Sequence, residues 1–168
     1  MIWLYLLIVL FTFLGMEFVA WFTHRYLMHG LMWSVHKDHH QKDESEFIEK
    51  NDLFFLIFAT PAIVLFLAGA LWSSGVLTSI AAGITLYGLC YFLVHDIFIH
   101  QRFKIFRNSD NVYLRAIRRA HKMHHKYLNK EDGESFGMLY VHKKYWEKIR
   151  RDKQLMAGKK VAYAPEAD

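Results

Sequence analysis

The stretch from His24 to His40, HRYLMHGLMWSVHKDHH, contains five histidines in the order His-x4-His and then His-x2-His-His. The same order returns between His95 and His125, in HDIFIHQRFKIFRNSDNVYLRAIRRAHKMHH. Ten of the eleven histidines belong to these two sets: His24, His29, His36, His39, His40, His95, His100, His121, His124 and His125. Each set directly follows a long apolar segment. We therefore expect two metal-binding halves that meet at one face of a membrane.

The His-x2-His-His spacing favours metal ligands over ordinary core histidines. In an α-helix it places residues i, i+3 and i+4 on one face, so that three imidazoles converge. Neighbours such as His39 and His40 point about 100° apart and could bind different ions, and the same holds for His124 and His125. Ten imidazoles exceed the four ligands of a structural zinc site and suit two ions, each with an open position. Ligand type alone leaves iron, zinc, copper and nickel as candidates.

The His-x4-His spacing has a different consequence. Residues i and i+5 do not share a face of an α-helix, so the helix is expected to end or bend at the second histidine of each pair. Both pairs, His24 with His29 and His95 with His100, come where an apolar segment ends. The remaining histidine, His142, is expected to be an ordinary exposed side chain.

Three apolar segments are long enough to cross a bilayer as helices, which takes about 20 residues. The first covers about 1–22 and lacks the basic start of a signal peptide, so a retained span is expected. The stretch from Leu53 to Val94 has no charged residue and is about twice as long as one span. Ser73-Ser74-Gly75 in its middle is turn material, which predicts a hairpin with spans at 53–72 and 76–94. Gly83 and Gly88 are expected to permit close helix packing there.

The predicted fold class is an all-α integral membrane protein with three transmembrane helices and a helical cap. The chain, 1–168, is expected to be a single domain in which the histidines lie in a cap at 24–52 and 95–141. All 21 lysines and arginines follow Thr23. Because basic residues concentrate on cytoplasmic loops, we expect the cap and C-terminus inside and the N-terminus outside a bacterial inner (cytoplasmic) membrane. Nucleic acid is excluded as a partner, since no soluble binding fold carries this charge.

The cap is expected to contain one long helix, from about Tyr113 to Leu128, after a turn and helix cap at 108–111. At about 100° per residue, its apolar and histidine positions share one arc and face inward: Leu114, Ile117, His121, His124, His125 and Leu128. The charged stretch 41–52 is predicted to be a solvated loop or helix start. Residues 136–141 are expected to lie along the interface or to cap the site, and 142–168 to form a basic tail.

Two acids are candidates for supporting the histidines. Glu17 is the only charge in the first span, where acids are costly and usually face a protein interior. It lies two helical turns before His24 and could orient that or a neighbouring imidazole; the alternative is a buried acid bonded to a neighbouring helix. Asp96 directly follows His95 and is expected to hold a ring N–H of a ligand histidine.

These motifs resemble those of the membrane-bound histidine-box di-iron hydroxylases, a family of fatty acid hydroxylases, sterol oxidases and carotenoid hydroxylases. The likeness is strongest to the bacterial β-carotene 3-hydroxylases and covers nearly all of residues 1–140. Besides the histidine sets, it is carried by Gly15-Met16-Glu17, Asn51-Asp52-Leu53, Gln101-Arg102 and Ser135-Phe136-Gly137. Fatty acid hydroxylases typically have a three-residue gap in the third histidine box, whereas His95 and His100 are separated by four residues.

The resemblance implies a monooxygenase in which two iron ions, held by the ten histidines, activate O2 as co-substrate. Hydroxylation at carbon 3 of both β-ionone rings would convert β-carotene, a lipid-soluble carotenoid, to zeaxanthin through β-cryptoxanthin; ketolated rings are included in this expectation. Two electrons would come from a ferredoxin-like or other NAD(P)H-linked donor, because the sequence has no flavin or nicotinamide fingerprint. Zinc accepts the same ligands and could replace iron in a purified sample.

Two alternatives remain open at the level of sequence. The first is another histidine-box enzyme, namely a fatty acid or sterol hydroxylase or a carotenoid ketolase. The second is a membrane metal transporter. Transporters usually place their ligands within the spans, near the middle of the bilayer, whereas these histidines follow the spans.

Overall fold

A computed structural model describes residues 1–41, 48–103, 105 and 109–162, with side chains to residue 156. Every regular element in these ranges is helical, which confirms the all-α fold class. In chain order they are α1 (Ile2–Phe22), a π-helix π1 (Thr23–Leu31), α2 (Trp33–His40), a short 3-10 turn (Lys50–Asp52), α3 (Leu53–Leu71), α4 (Gly75–Tyr91), a second π-helix π2 (Phe92–Ile99), α5 (Val112–His124) and α6 (Lys143–Ala162).

Three helical stretches are long and apolar enough to cross a membrane, as predicted: Ile2–Leu31, Lys50–Leu71 and Gly75–Ile99. The 18-residue windows that mark them as candidate spans have a mean hydropathy of 2.2, 2.5 and 1.8, respectively. Large apolar side chains on their outer faces are exposed, for example Phe11 (68%) and Leu67 (61%). Such a surface suits lipid rather than water. The first and third stretches continue through the π-helices, so they are longer than the spans predicted from composition.

The hairpin between α3 and α4 turns at the predicted residues. Ser73 adopts a φ of 51°, and the Ser74 side chain accepts a hydrogen bond from the backbone N–H of Leu77 at the start of α4. This N-cap satisfies one of the helix's free donors. The sequence Ser-Ser-Gly therefore forms the turn at the far end of the membrane from the histidines.

Close packing of α1 against α4 depends on Gly83. A Cβ at this position would lie 2.6 Å from the Cβ of Thr12 and 2.8 Å from the carbonyl oxygen of Val9. A Cβ at Gly88 would have nothing within 4 Å. The predicted packing role is thus confirmed for Gly83 and wrong for Gly88, which lies on an open face of the same helix.

Alanine at Gly83 is expected to destabilise the protein by about 1–3 kcal/mol, because the added methyl group overlaps atoms of α1. Gly88→Ala is the matched control on the same helix, and we expect it to leave stability unchanged or slightly raised. Thermal unfolding of both variants in detergent, followed by circular dichroism, measures the difference. Equal midpoints for the two variants would show that the α1–α4 contact does not need a glycine.

Helix α5 begins close to the predicted residue but ends earlier. The Asn111 side chain caps it by accepting a hydrogen bond from the N–H of Leu114 (3.1 Å). The helix stops at His124 rather than Leu128. Beyond that point the carbonyl of Tyr127 accepts a hydrogen bond from the His40 ring, and that of Leu128 accepts one from Gln41. These contacts with the end of α2 replace the last predicted turn.

The basic segment after His142 is a helix rather than a tail over its described part. Tyr145 and Ile149, one turn apart on α6, are 4% and 5% exposed and pack with Ile117 of α5 in one hydrophobic cluster. Most of the other residues of α6 are polar or charged, so its apolar face is narrow and its helical pattern weak. His142 itself is exposed, as predicted.

Candidate metal centre

The two π-helices explain the four-residue gap in both His-x4-His motifs. A π-helix has i→i+5 backbone hydrogen bonds, and the N–H of His100 donates to the carbonyl of His95 (2.9 Å). Residues five apart therefore lie one above the other, and the rings of His95 and His100 have centroids 4.5 Å apart. The expected bend or end is also present, since the backbone breaks at Gly30 (φ −112°, ψ −108°) and π2 ends at Ile99.

The ten histidines form two clusters whose membership crosses the two sequence sets. Cluster A consists of five buried histidines with ligand nitrogens within 4.8 Å of one another: His24, His29, His36, His40 and His124. Cluster B contains four that meet the same distance and a fifth, His125, whose Nε2 lies 2.8 Å from that of His121: His39, His95, His100, His121 and His125. His39 comes from the first sequence set but lies in cluster B, and His124 comes from the second set but lies in cluster A.

This exchange follows from the direction of neighbouring side chains on a helix. His39 and His40 are adjacent on α2 and therefore point to different clusters, as do His124 and His125 at the end of α5. The two clusters remain in contact, because the rings of His40 and His125 stack with centroids 4.5 Å apart and an interplanar angle of 15°. The prediction that adjacent histidines address different sites agrees with this arrangement.

Seven of the ten rings have Nδ1 within hydrogen-bond distance of an oxygen that can only accept. The pairs are His24 with Phe136 O (2.9 Å), His29 with Lys130 O (3.2 Å), His36 with Asn51 Oδ1 (2.6 Å), His39 with Glu49 Oε2 (2.7 Å), His40 with Tyr127 O (2.9 Å), His95 with Asp96 Oδ2 (3.3 Å) and His124 with Glu134 O (2.9 Å). Because Nδ1 must donate to these acceptors, it carries the proton, and the lone pair is on Nε2.

The Nε2 atoms point into the clusters and face one another. They are 3.1 Å apart in His24 and His36 and 3.0 Å apart in His39 and His95. Two lone pairs cannot hydrogen-bond to each other, and the buried Nε2 of His40 has no hydrogen-bond partner among the residues that the structure describes. Metal–imidazole bonds are about 2.0–2.1 Å long, so two imidazoles bound at right angles have nitrogens about 3 Å apart. The donor set therefore fits a metal ion in each cluster.

The imidazoles are also held in the uncharged form that binds metal. Burial lowers the pKa of His40 to about 4, with the neighbouring His29 acting in the same direction. Burial likewise lowers the pKa of His36 to about 3, although the hydrogen bond that its ring donates to Asn51 acts in the opposite direction. Since a protonated ring has no free lone pair, these shifts keep the ligands available at neutral pH.

Cluster B is supported by a network of charged side chains around Arg102. The guanidinium forms two hydrogen bonds with Asp52 (2.9 and 3.2 Å). It lies 3.7 Å from Glu49 and 3.6 Å from Asp96, the two carboxylates beside the Nδ1 atoms of His39 and His95. The expected contact of Asp96 with a ligand histidine is thus present, and Arg102 joins it to a second contact of the same kind.

Glu49 is a candidate supporting residue that the sequence interpretation missed. The stretch 41–52 was predicted to be solvated, yet Glu49 is 6% exposed, and residues 42–47 lie outside the described part. Asn51 likewise contacts His36 instead of only starting a helix. Both belong to the short segment that enters α3. The motif Asn51-Asp52-Leu53 in the family resemblance was the one available signal.

Replacing Glu49 with alanine is expected to weaken metal binding by about 10–100-fold, because His39 loses the carboxylate that orients its ring. Glu147→Ala on the exposed side of α6 is the control and should bind metal like the unaltered protein. Competition with a chelator of known affinity measures the difference. An unchanged affinity in Glu49→Ala would show that the carboxylate does not support the ligand.

Glu17 contacts the loop after α5 instead of an imidazole. Its Oε1 accepts hydrogen bonds from the backbone N–H groups of Met138, Leu139 and Tyr140, each 2.9 Å long. Its Oε2 accepts one from the Tyr87 hydroxyl on α4 (2.7 Å). The prediction of direct contact with a ligand histidine is therefore corrected, and the alternative of a bond to a neighbouring helix is confirmed.

The loop that Glu17 holds covers cluster A. The Phe136 ring lies against His24, His29 and His124, with centroids 5.5, 5.1 and 5.1 Å away. Its carbonyl accepts the hydrogen bond from His24 described above. Of the two expectations for 136–141, capping of the site is the one observed, and Glu17 acts on His24 only through this loop.

Comparison with known proteins extends these observations. The chain matches the fatty acid hydroxylase family over residues 9–149. It is 43% identical over 136 residues to the beta-carotene hydroxylase of Paracoccus sp. (strain N81106 / MBIC 01143), which covers 80% of this chain and 83% of that protein. The beta-carotene hydroxylase of Pantoea ananas is 42% identical over 144 residues, covering 84% and 80%. Beta-carotene 3-hydroxylase 1, chloroplastic, of Arabidopsis thaliana is 36% identical over 145 residues, covering 84% of this chain and 45% of that protein. No solved structure matches the chain.

The matched range agrees with the resemblance that the motifs carry. It includes both π-helices and all ten histidines of clusters A and B. The apolar helices that position the clusters fall largely within it as well. Because the match covers most of the chain and both clusters, the chain belongs to the fatty acid hydroxylase family.

Proposed function

We propose that this protein is a carotenoid hydroxylase that adds a hydroxyl group at carbon 3 of β-ionone rings, converting β-carotene to zeaxanthin through β-cryptoxanthin. The observation that carries the proposal is the pair of five-histidine clusters at the ends of membrane-spanning helices. Bacterial relatives with 42–43% identity are named beta-carotene hydroxylases, which directs the choice of substrate. Ketolated carotenoids, with the same ring, are included as further substrates.

The cofactor in this proposal is a pair of iron ions, one held by cluster A and one by cluster B. Five imidazoles leave an open position on an ion that accepts six ligands. Iron bound in both clusters would supply the activation of O2 that the hydroxylation of an unactivated C–H bond requires. Imidazole ligands also accept zinc, so iron loading has to be controlled in any assay.

The protein's own residues contribute orientation and exclusion of water. The oxygen acceptors on Nδ1 hold seven rings with Nε2 toward the cluster centres. Arg102 holds the carboxylates of Glu49 and Asp96 in place, so that two ligands of cluster B are supported by one network. Phe136 covers cluster A from the side of the cap. This support keeps the ligand geometry fixed while oxygen and substrate enter and leave.

The position of the clusters suits a lipid-soluble substrate. His24 and His95 lie on the helical stretches that cross the membrane, near the ends where the cap begins. A carotenoid dissolved in the bilayer can therefore present one ring end to the clusters. We place this end on the cytoplasmic side of a bacterial inner membrane, because the turn between α3 and α4 has no charge and the basic residues follow the other ends of the spans.

This placement disfavours a metal transporter, whose ligands usually lie near the middle of the bilayer. Fatty acid and sterol hydroxylases and carotenoid ketolases share the family's chemistry, so only the product separates them from the proposal. If vesicles containing the protein moved zinc without consuming O2, the enzyme proposal would be wrong.

The test is a pigment chromatogram from a host that accumulates β-carotene. Expression of the chain is expected to produce zeaxanthin and β-cryptoxanthin. His124→Ala, which removes a ligand from cluster A, is expected to produce neither. His142→Ala removes the exposed histidine outside both clusters and is the matched control, expected to act like the unaltered chain. Unchanged β-carotene with well-expressed protein would contradict the proposed substrate.

A further inference from the structure

We propose that the outer face of α5 is the docking surface for a small acidic electron-carrier protein that delivers one electron at a time. The surface is a line of four cations that we call the basic stripe: Arg115, Arg119, Lys122 and Lys126. The inference rests on the hydroxylase function proposed above and names the chemistry of its partner and the place where it binds.

The stripe is a feature of one helix face. Arg115, Arg119 and Lys122 are spaced i, i+4 and i+7 on α5, which brings them within about 60° of one another around the helix axis. Lys126 lies in the turn that directly follows the end of the helix at His124. Arg119, Lys122 and Lys126 are exposed and Arg115 is half-buried. Helix α5 has no acidic residue, and the ion pairs found in the described part of the chain do not involve these four cations. The charge is therefore available to a partner.

The opposite face of α5 carries ligands of both clusters. His121 lies with its Nε2 2.9 Å from that of His100 at the end of π2. His124 makes the corresponding contact with His29 of π1 (3.2 Å). The clusters are thus between the ends of the membrane spans and α5, and the basic stripe points away from the spans. That orientation favours a water-soluble partner over lipid head groups.

The reaction itself requires such a partner. Hydroxylation converts RH, O2, two electrons and two protons into ROH and water, and neither the carotenoid nor O2 supplies the two electrons. A carrier bound at the stripe would be separated from the clusters by one helix, whose diameter with side chains is about 10–12 Å. Opposite charges accelerate the association of such a carrier and orient it. Because the basic stripe has four cations and no acidic residue, an acidic protein surface is electrostatically complementary to it.

The experiment compares two double variants of the iron-loaded protein in vesicles that contain β-carotene. Arg119→Glu with Lys122→Glu reverses the middle of the stripe. Arg150→Glu with Lys153→Glu makes the same charge change on exposed positions of α6 and is the control. The probe is a plant-type [2Fe–2S] ferredoxin kept reduced by NADPH and a ferredoxin reductase. A parallel reaction uses dithionite with methyl viologen, which needs no docking surface.

The stripe variant is expected to raise the KM for ferredoxin on the order of tenfold and to leave iron content and the methyl viologen reaction unchanged. Added salt should raise the KM of the unaltered protein and have less effect on the variant. Equal KM values for the stripe variant and the unaltered protein would overturn the inference. Equal loss of activity with both reductants would also overturn it, and would point to a structural or lipid-binding role.

Failure of the proposed function has a different signature. In that case the unaltered protein forms no zeaxanthin with either reductant. Binding of ferredoxin to the detergent-solubilised protein, measured without turnover, still tests the stripe. Salt-sensitive binding that the stripe variant loses and the control variant keeps supports the surface, and equal binding by all three proteins contradicts it.

Discussion

A chain that carries both His36→Ala and His124→Ala is expected to keep about one metal ion per molecule at unaltered affinity, whereas His36→Ala with His39→Ala is expected to bind metal more weakly in both clusters. The first pair removes two ligands from cluster A and leaves cluster B complete. The second pair removes one ligand from each cluster, so that each cluster has four imidazoles instead of five. We expect the second pair to lose metal affinity in both clusters, because a buried site that lacks one of its ligands binds the metal ion more weakly.

The comparison is informative because the two sequence sets predict the opposite result. If each set bound its own ion, His36 and His39 would belong to one site, and their double variant would keep an ion in the other. The measurement is the metal content of purified, iron-loaded protein by mass spectrometry, with His142→Ala as the control. An ion retained by the His36, His39 variant and lost by the His36, His124 variant would contradict the crossed clusters.

Replacing Glu17 with alanine is expected to reduce zeaxanthin formation at least 100-fold. The change leaves the N–H groups of Met138, Leu139 and Tyr140 without their acceptor. The groups of Met138 and Leu139 are partly buried, and a buried unpaired donor costs about 1–3 kcal/mol. The loop would then leave cluster A, taking with it the Phe136 carbonyl that orients His24. Glu17→Gln keeps one oxygen acceptor and should retain most of the activity.

A second substitution tests the same contact from the side of the loop. A Cβ at Gly137 would lie 2.8 Å from Oε1 of Glu17, so Gly137→Ala should displace the carboxylate and lower activity, though less than Glu17→Ala does. Gly15→Ala, on α1 with nothing within 4 Å, is the control. The two measurements are the zeaxanthin formed per protein molecule and the midpoint temperature of thermal unfolding. Wild-type activity in Glu17→Ala would show that the loop is held by other contacts.

The spans and the histidines that form the two clusters were predictable from sequence because each depends on local pattern. Long uncharged segments identify membrane helices, and histidines three and four apart converge on one helix face. The π-helices were also within reach, since a gap of four in both pairs matches their i→i+5 hydrogen bonds. The sequence interpretation placed a bend there but did not recognise that the pair would share a face.

The crossed clusters and the supporting acids were not predictable in the same way. The exchange of His39 and His124 depends on how α5 packs against α2, which is tertiary structure. Glu49 belongs to a charged stretch, and the sequence there does not distinguish a buried acidic side chain from a solvated one. The backbone N–H groups that Glu17 accepts from lie more than a hundred residues away in a loop without helical periodicity, so no spacing rule connects them to Glu17.

The most direct test of the account is the source of the oxygen in the product. β-Carotene-accumulating cells that express the chain are grown under 18O2, and zeaxanthin is analysed by mass spectrometry. One 18O atom is expected in each hydroxyl group, and His124→Ala is expected to form no labelled product. Hydroxyl oxygen drawn from water, or labelled product formed at the unaltered level by His124→Ala, would contradict this expectation.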